Sequence, residues 1–273
     1  MDSPTTLIVS GINRVPRSSL QKSSPETNYR LVISYRGTRF RGWQKQGSSP
    51  TIQLEIEQVL SRLWSRPIII HGSGRTDTGV HALGQIAHFH APLRFKDTRK
   101  LRNALNAYLP DDIRILDVRK VLDDFHSRFS ATSKEYEYLL FCREVADPME
   151  LNRSWHLRRK LDLSSMKQAA ALLLGTHDFA SFASNPGYSR ETTVRTLHRI
   201  QITQKGPRIR IRYHGSGFLY RMVRNLTGAL VRVGDGRLNI EEIAKILKAK
   251  NRSEAPPPAP AHGLYLVKVH YRK

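Results

Sequence analysis

The sequence predicts a fold in which strands and helices alternate, α/β or α+β, and three observations carry that reading. Apolar side chains fall at every second position in several short runs, as in Tyr29, Leu31, Ile33 and Tyr35. Others recur at helical spacing, as in Ile52, Ile56, Val59, Leu60, Leu63 and Trp64. The two patterns interleave along the chain instead of segregating.

Taken in order, residues 1–27 are rich in Ser, Thr and Pro, show no periodicity and contain no apolar stretch long enough for a secretory signal. They are expected to form a disordered extension. The strand over 29–35 ends in the turn Arg36-Gly37-Thr38, and the helix over 52–64 takes Ser49 or Thr51 as its cap with Pro50 in the first turn. Short β-branched or apolar runs at 67–70 and 85–90 predict strands. Leu101, Ala104, Leu105 and Tyr108 predict a helix stopped by Pro110, and Ile113, Ile115 and Val118 a further strand.

In the second half, Tyr136, Tyr138 and Leu140 share one strand face, and Leu163, Met166, Ala170, Leu173 and Leu174 mark a helix. Tyr188, Ser189, Arg190 and Arg195 lie in a polar, turn-rich connection before a strand carrying His198, Ile200 and Ile202. Arg208, Arg210 and Arg212 then alternate with Ile209, Ile211 and Tyr213, so one face of that strand is basic and the other apolar. Gly215 and Gly217 lead into a helix with core residues Phe218, Met222, Leu226 and Leu230 and with Arg221 and Arg224 on a more polar side. Ile240, Ile243 and Leu247 give a last helix, APPPAPAHG at 255–263 reads as a linker, and LYLVKVHY as a final strand.

Forty-five Lys and Arg against twenty-three Asp and Glu give a formal net charge of +22, far beyond what solubility requires. A polyanion is the natural partner, and since the longest apolar runs are four or five residues, nucleic acid is preferred to a membrane. The single cysteine, Cys142, excludes an intramolecular disulfide and fits a reducing compartment; it reads as a small apolar strand residue. In RFRGWQKQ, Arg39, Arg41 and Lys45 interleave with Phe40 and Trp43, a mixture that suits phosphate pairing beside base stacking, or a solvated loop with its Trp anchored in the core.

The most informative stretch is HGSGRTDTGVHALGQIAHFH, residues 71–90, where Gly72, Gly74 and Gly79 punctuate a link between two strands. If the segment is extended, Arg75 and Asp77 point to one side and the cation favours an ionised carboxylate. On the residues alone, Asp77 is either a carboxylate nucleophile or an Asx-turn residue with Arg75 as a surface partner. His81, His88 and His90 have no second carboxylate or Cys at ligand spacing, so no metal is assigned. The chain also lacks a dinucleotide fingerprint, a P-loop and a Cys nucleophile in a suitable motif, and no cofactor is expected.

GRTDTGVHA, together with YRGTRFRGWQKQ at 35–46, FHSRFSATSKEYEY at 125–138, FLYRMVRNLTG at 218–228 and GLYLV at 263–267, resembles the tRNA pseudouridine synthase A (TruA) family. Five motifs stand in the family's order and span everything after about residue 28. The resemblance implies an α+β pseudouridine synthase fold, two related α/β halves sharing a continuous, mainly antiparallel sheet around a central basic cleft. The halves fall at 28–121, carrying the Asp loop, and 122–273. An internal echo, YRGTRF at 35–40 against YHGSGF at 213–218, suits that duplication.

The resemblance further implies that Asp77 is the catalytic nucleophile, that Arg75 and Arg224 hold its charge, and that Tyr136 stacks on or hydrogen-bonds the extruded base. Arg39, Arg41, Lys45, Arg208, Arg210, Arg212 and Arg221 are expected to contact RNA. The implied substrate is the anticodon stem-loop of several tRNAs, at uridines 38, 39 and 40 of the tRNA, and the implied enzyme a cytoplasmic homodimer. The rival reading is a non-catalytic RNA-binding or RNA-chaperone protein in which Arg75 and Asp77 form a structural turn. A nuclease fits less well, since hydrolysis calls for a metal carboxylate cluster or paired histidines.

Overall fold

One ten-stranded sheet organises the computed structural model, which describes residues 26–185, 187 and 192–272. Its strands are β1 (Glu26–Tyr35), β2 (His71–Gly72), β3 (His81–Pro92), β4 (Ile113–Val121), β5 (Ala131–Cys142), β6 (Trp155–Leu157), β7 (Gly175–Asp178), β8 (Val194–Lys205), β9 (Arg208–Gly215) and β10 (Leu264–Tyr271). The order across the sheet is β4-β1-β3-β10-β5-β9-β8-β7, with β2 beside β3 and β6 beside β5. Neighbours are antiparallel except β3 with β10 and β5 with β6. The last strand of the chain thus closes the sheet at its centre, joining strands of the first half to strands of the second.

Five helices cover one face: α1 (Ile52–Trp64), α2 (Thr98–Tyr108), α3 (Leu163–Ala171), α4 (Met222–Gly234) and α5 (Ile240–Ala249). In the first half Tyr29, Leu31, Ile33 and Tyr35 are buried on one side of β1, where Tyr29 stacks on Phe89 at 5.1 Å and Trp64 of α1 meets both rings edge-on. In the second half Tyr136, Tyr138, Ile211 and Tyr213 point toward α4, whose Thr227 bonds the Tyr213 hydroxyl at 2.8 Å. Register decides the rest: Tyr136 lies opposite Tyr213, and Glu137 opposite Arg212, so Glu137 and Arg212 share the other face.

Several boundaries differ from expectation. The first strand begins at Glu26, because Glu26 and Thr27 pair with Pro92 and Ala91 of β3 and Glu26 forms an ion pair with Arg66. The remainder of the expected extension, 1–25, lies outside the described residues, as do Tyr188, Ser189 and Arg190. Thr51 is the cap of α1, accepting from Leu54 N–H at 3.3 Å, and Pro50 precedes the cap instead of sitting inside the first turn. The helix expected from Phe218 starts only at Met222, since Arg221 takes a left-handed φ of 59° that helical backbone cannot continue through. Phe218 packs outside the helix, and Leu173 and Leu174 follow the end of α3.

His88, buried on the face of β3 opposite Phe89, accepts the Ser127 N–H at Nδ1, 3.2 Å away, and lies among the rings of His71, His90 and His126. Burial first, then those neighbouring imidazoles, lowers its pKa from 6.5 to about 4. In that window the unfolded chain binds a proton that the folded one does not, so stability is complete above about 6.5 and falls as pH drops toward 4. Urea melts at several pH values should therefore give a stability slope in His88→Asn that is flatter than in the wild type, by at most about 1.4 kcal/mol per pH unit. Parallel slopes would refute the assignment.

Candidate active site

The link between β2 and β3 is held at nearly every residue. Ser73 N–H bonds Ile86 O at 2.7 Å, Gln85 joins Ser73 Oγ at 2.6 Å and Gly74 O at 2.9 Å, and Thr76 Oγ1 meets the buried Tyr35 hydroxyl at 2.7 Å. Thr76 O accepts from Trp43 N–H at 3.1 Å, and a turn with Gly79 at φ 79° closes through Val80 N–H to Asp77 O. Gly42 is required here twice over: its φ is 84°, and a Cβ would stand 2.6 Å from Thr76 O and 3.2 Å from the Asp77 carbonyl carbon. The motif glycine thus lets one loop lie flat on the peptide that presents Asp77.

The Asp77 carboxylate turns away from its own backbone to α4 of the other half. Arg224 Nη1 donates to Oδ2 at 2.8 Å, with 12% and 16% of the two side chains exposed, and Arg221 Nε stands 3.9 Å from the same oxygen. A charge-assisted bond in such a shielded place is short and directional, and it holds the carboxylate in position. Arg224 is itself fixed, since its Nε donates to Ala259 O at 2.8 Å and its carbonyl accepts from Ala259 N–H at 3.0 Å.

Ala259 belongs to the Pro-rich stretch expected to be a linker, and the structure corrects that reading. Residues 255–263 form a strap packed across α4, with Ala259 fully buried and the Tyr138 hydroxyl bonded to Pro260 O at 2.7 Å. The prolines preset an extended backbone and remove donors that packing would leave unpaired. Gly228 of α4 lets the strap approach, as a Cβ there would lie 2.3 Å from Pro257 O.

Tyr136 closes the site from β5. Its ring is 8% exposed and meets Phe218 edge-on at 5.0 Å, and its hydroxyl has no hydrogen-bond partner among the described residues. Burial first, then Tyr35 and the Asp77 charge, pushes its pKa above the ordinary value, so it is a neutral phenol at physiological pH.

The other predicted residues divide. Arg75 is exposed on the Asp77 loop, and the ion pairs to the carboxylate come from Arg224 and Arg221. Arg41 is exposed with no ion-pair partner among the described residues, whereas Arg39 is 3.2 Å from Asp112 and Lys45 3.6 Å from Glu57. Phe40 and Trp43 are buried, so neither offers a ring to a base. Arg208 pairs with Glu150 at 2.6 Å, while Arg210 and Arg212 both reach Glu137 at 3.0 Å, on the sheet face away from Tyr136.

The histidines settle into structural and surface roles. His81 Nδ1 accepts from Gly37 N–H at 3.0 Å and Nε2 faces the carbonyls of Asn152 and His262, which fixes one neutral tautomer. Glu135, His214 and His270 place potential ligand atoms within 4.8 Å of one another, a group absent from the sequence reading because it spans three strands. It shares the face of Glu137, away from Tyr136, and its atoms are engaged already: His270 Nε2 with Glu135 at 2.8 Å and His214 Nε2 with Ser133 Oγ at 3.0 Å. Sequence reasoning also missed Tyr35, Gly42 and the strap, whose roles arise only from contacts distant along the chain.

A carboxylate clamped by two arginines beside a buried phenol, on a mixed sheet with helices on one face, defines a family when set beside known proteins. A family model described as tRNA pseudouridine synthase matches residues 31–130 and 169–272. The tRNA pseudouridine synthase A of Methylacidiphilum infernorum is 46% identical over 89% of this chain and 95% of its own. Protochlamydia amoebophila tRNA pseudouridine synthase A 1 is 45% identical over 89% and 96%, and the Acetivibrio thermocellus protein 41% over 89% and 99%. The chain belongs to the tRNA pseudouridine synthase A family. Among solved structures, a chain of a Cbf5–Nop10–Gar1 complex aligns with a TM-score of 0.33 at 11% identity, over 87% of this chain and 57% of that one.

The strap yields a prediction. Gly228→Ala must push the Pro257 carbonyl outward, which should destabilise the fold by about 1–3 kcal/mol and, by loosening Ala259 under Arg224, lower turnover as well. Thermal melting and a tRNA modification assay test both halves. Unchanged values would show that the strap does not seat Arg224.

Proposed function

We propose that this protein isomerises uridine to pseudouridine in tRNA, with Asp77 as the nucleophile at the ribose anomeric carbon. The Asp77 carboxylate bonds to C1′ as the bond from C1′ to N1 breaks, the uracil turns, C5 displaces the carboxylate from C1′, the C5 proton leaves to solvent and N1 takes up a proton. The observation that carries the reading is the Asp77 carboxylate, poised between the Arg224 and Arg221 guanidiniums and close enough to Tyr136 to perturb its phenol. Arg224 orients the carboxylate, and Tyr136, as a neutral phenol, lies against the extruded base and offers it a hydrogen bond. Extrusion costs roughly a few kcal/mol, which phosphate contacts offset, and Arg75 on the rim of the loop is suited to fill the vacated place.

The finer assignments rest on the family resemblance and the charge of +22. They are anticodon stem-loop uridines as the targets, a homodimer as the working form and the cytoplasm as the compartment. No helix among the described residues is long and apolar enough to cross a membrane. Of the cations expected to meet RNA, Arg41 precedes Gly42, which lies against the Asp77 peptide, and Arg221 stands 3.9 Å from the carboxylate, whereas Arg208, Arg210 and Arg212 have carboxylate partners on the far face. Arg41 is therefore assigned to phosphate. Binding titrations over a range of salt should show affinity falling steeply, with Arg41→Ala lowering the log–log slope by roughly 0.9 and Arg210→Ala leaving it unchanged. A slope that drops in Arg210→Ala instead would bring the far face into the RNA interface.

Asp77→Asn is the decisive variant. It should abolish tritium release from C5-labelled tRNA uridine while tRNA binding stays within roughly tenfold, about 1.4 kcal/mol. The fold should persist, because the amide oxygen can accept the same bond from Arg224. Release at the wild-type rate would remove Asp77 from the chemistry. Wild-type protein that binds tRNA and releases no tritium would instead be an RNA-binding protein without catalysis.

A further inference from the structure

Lys134 stands on β5 two residues before Tyr136 and on the same face of the strand, and its side chain crosses to the loop that carries Asp77. Nζ donates to Ser73 O at 2.6 Å. A Cβ at Gly74 would sit 2.7 Å from that nitrogen, so glycine is what admits the amine to the loop. The amine is deeply buried, and burial with the nearby Arg128 charge lowers its pKa to about 8. Among the described residues no carboxylate lies within 4.0 Å to compensate for an ammonium taken out of water.

A costly group retained in this place has one visible task. Ser73 and Gly74 are gripped from β3 by Ile86 O and by the Gln85 amide and, among the described residues, from β5 by Lys134 alone. Asp77 lies four positions after Ser73, and Tyr136 two positions after Lys134. Building on Asp77 as the nucleophile, we propose that Lys134 is a positioning residue for the reaction. Its bond to Ser73 O sets the separation between the Asp77 loop and the Tyr136 strand, so that carboxylate and phenol engage one nucleotide together. Arg224 fixes the carboxylate from α4; Lys134 fixes the backbone beneath it from β5. A loop released at one end moves the carboxylate, and a displacement of about 1 Å costs on the order of a hundredfold in rate.

The test is a cycle of Lys134→Ala, Gly74→Ala and the double variant, measured for kcat, KM, tRNA affinity and melting temperature, with Asp77→Asn alongside. Lys134→Ala should lower kcat roughly 10- to 100-fold with tRNA affinity within about threefold, the signature of lost geometry in the bound complex. Gly74→Ala should also lower kcat, because its methyl displaces Nζ from Ser73 O. The double variant should be no slower than Lys134→Ala to within about twofold, since the methyl then meets open space. Wild-type kcat in Lys134→Ala overturns the proposal, as does additivity in the double variant. So does a loss accounted for wholly by weaker tRNA binding, which would make Lys134 a phosphate contact. Should Lys134→Ala fail to fold, Gly74→Ala decides alone, and an unchanged kcat there is likewise fatal. If Asp77→Asn keeps its turnover, the nucleophile assignment fails separately, whatever the Lys134 result.

Discussion

The ion pair between Asp77 and Arg224 spans 147 positions of sequence and ties a loop of the first half to a helix of the second. Everything around it serves to make that one contact reproducible. Gly42 lets a loop lie against the Asp77 peptide, Tyr35 and Gln85 anchor the residues before it, and the strap through Ala259 holds the guanidinium from behind. A shielded carboxylate needs donors to hold it, and a shielded guanidinium needs acceptors for its remaining donors. Arg224 satisfies both conditions, giving one donor to Asp77 and another to the strap.

The sheet explains how two distant segments meet. Since β10, the last strand, lies between β3 and β5, the chain's end is the seam on which both halves register. Asp77 precedes β3, Tyr136 lies in β5, and the strap leads directly into β10, so all three converge at this seam.

Charge is distributed with the same economy. The alternating arginines of β9 look like an RNA stripe in isolation, but their strand pairs with β5, which presents Glu137 opposite Arg212. Two guanidiniums share that buried carboxylate, and a third finds Glu150. Positive charge near the site resides instead in short loops and at the start of α4, where Arg221, 3.9 Å from the Asp77 carboxylate, adopts the left-handed backbone that ends one segment and begins the helix.

Local patterns determined the element types. Period-two runs gave β1, β4, β5 and β9, helical spacing gave α1, α2 and α5, and five ordered motifs marked Asp77, Tyr136 and Arg224, because side-chain periodicity and motif order are properties of neighbouring residues. What neighbours a side chain meets across the sheet is not such a property. Only the tertiary structure decided that Asp77 pairs with Arg224 and Arg221, that Phe40 and Trp43 belong to the core, and that the arginines of β9 are paired with carboxylates. The Pro-rich 255–263 shows the limit most plainly: composition makes it a linker, and only the close approach permitted at Gly228 and the bonds to Arg224 and Tyr138 make it a strap. Those contacts join residues at least 29 positions apart along the chain, from Gly228 to Pro257, and no local pattern encodes a partner at that distance.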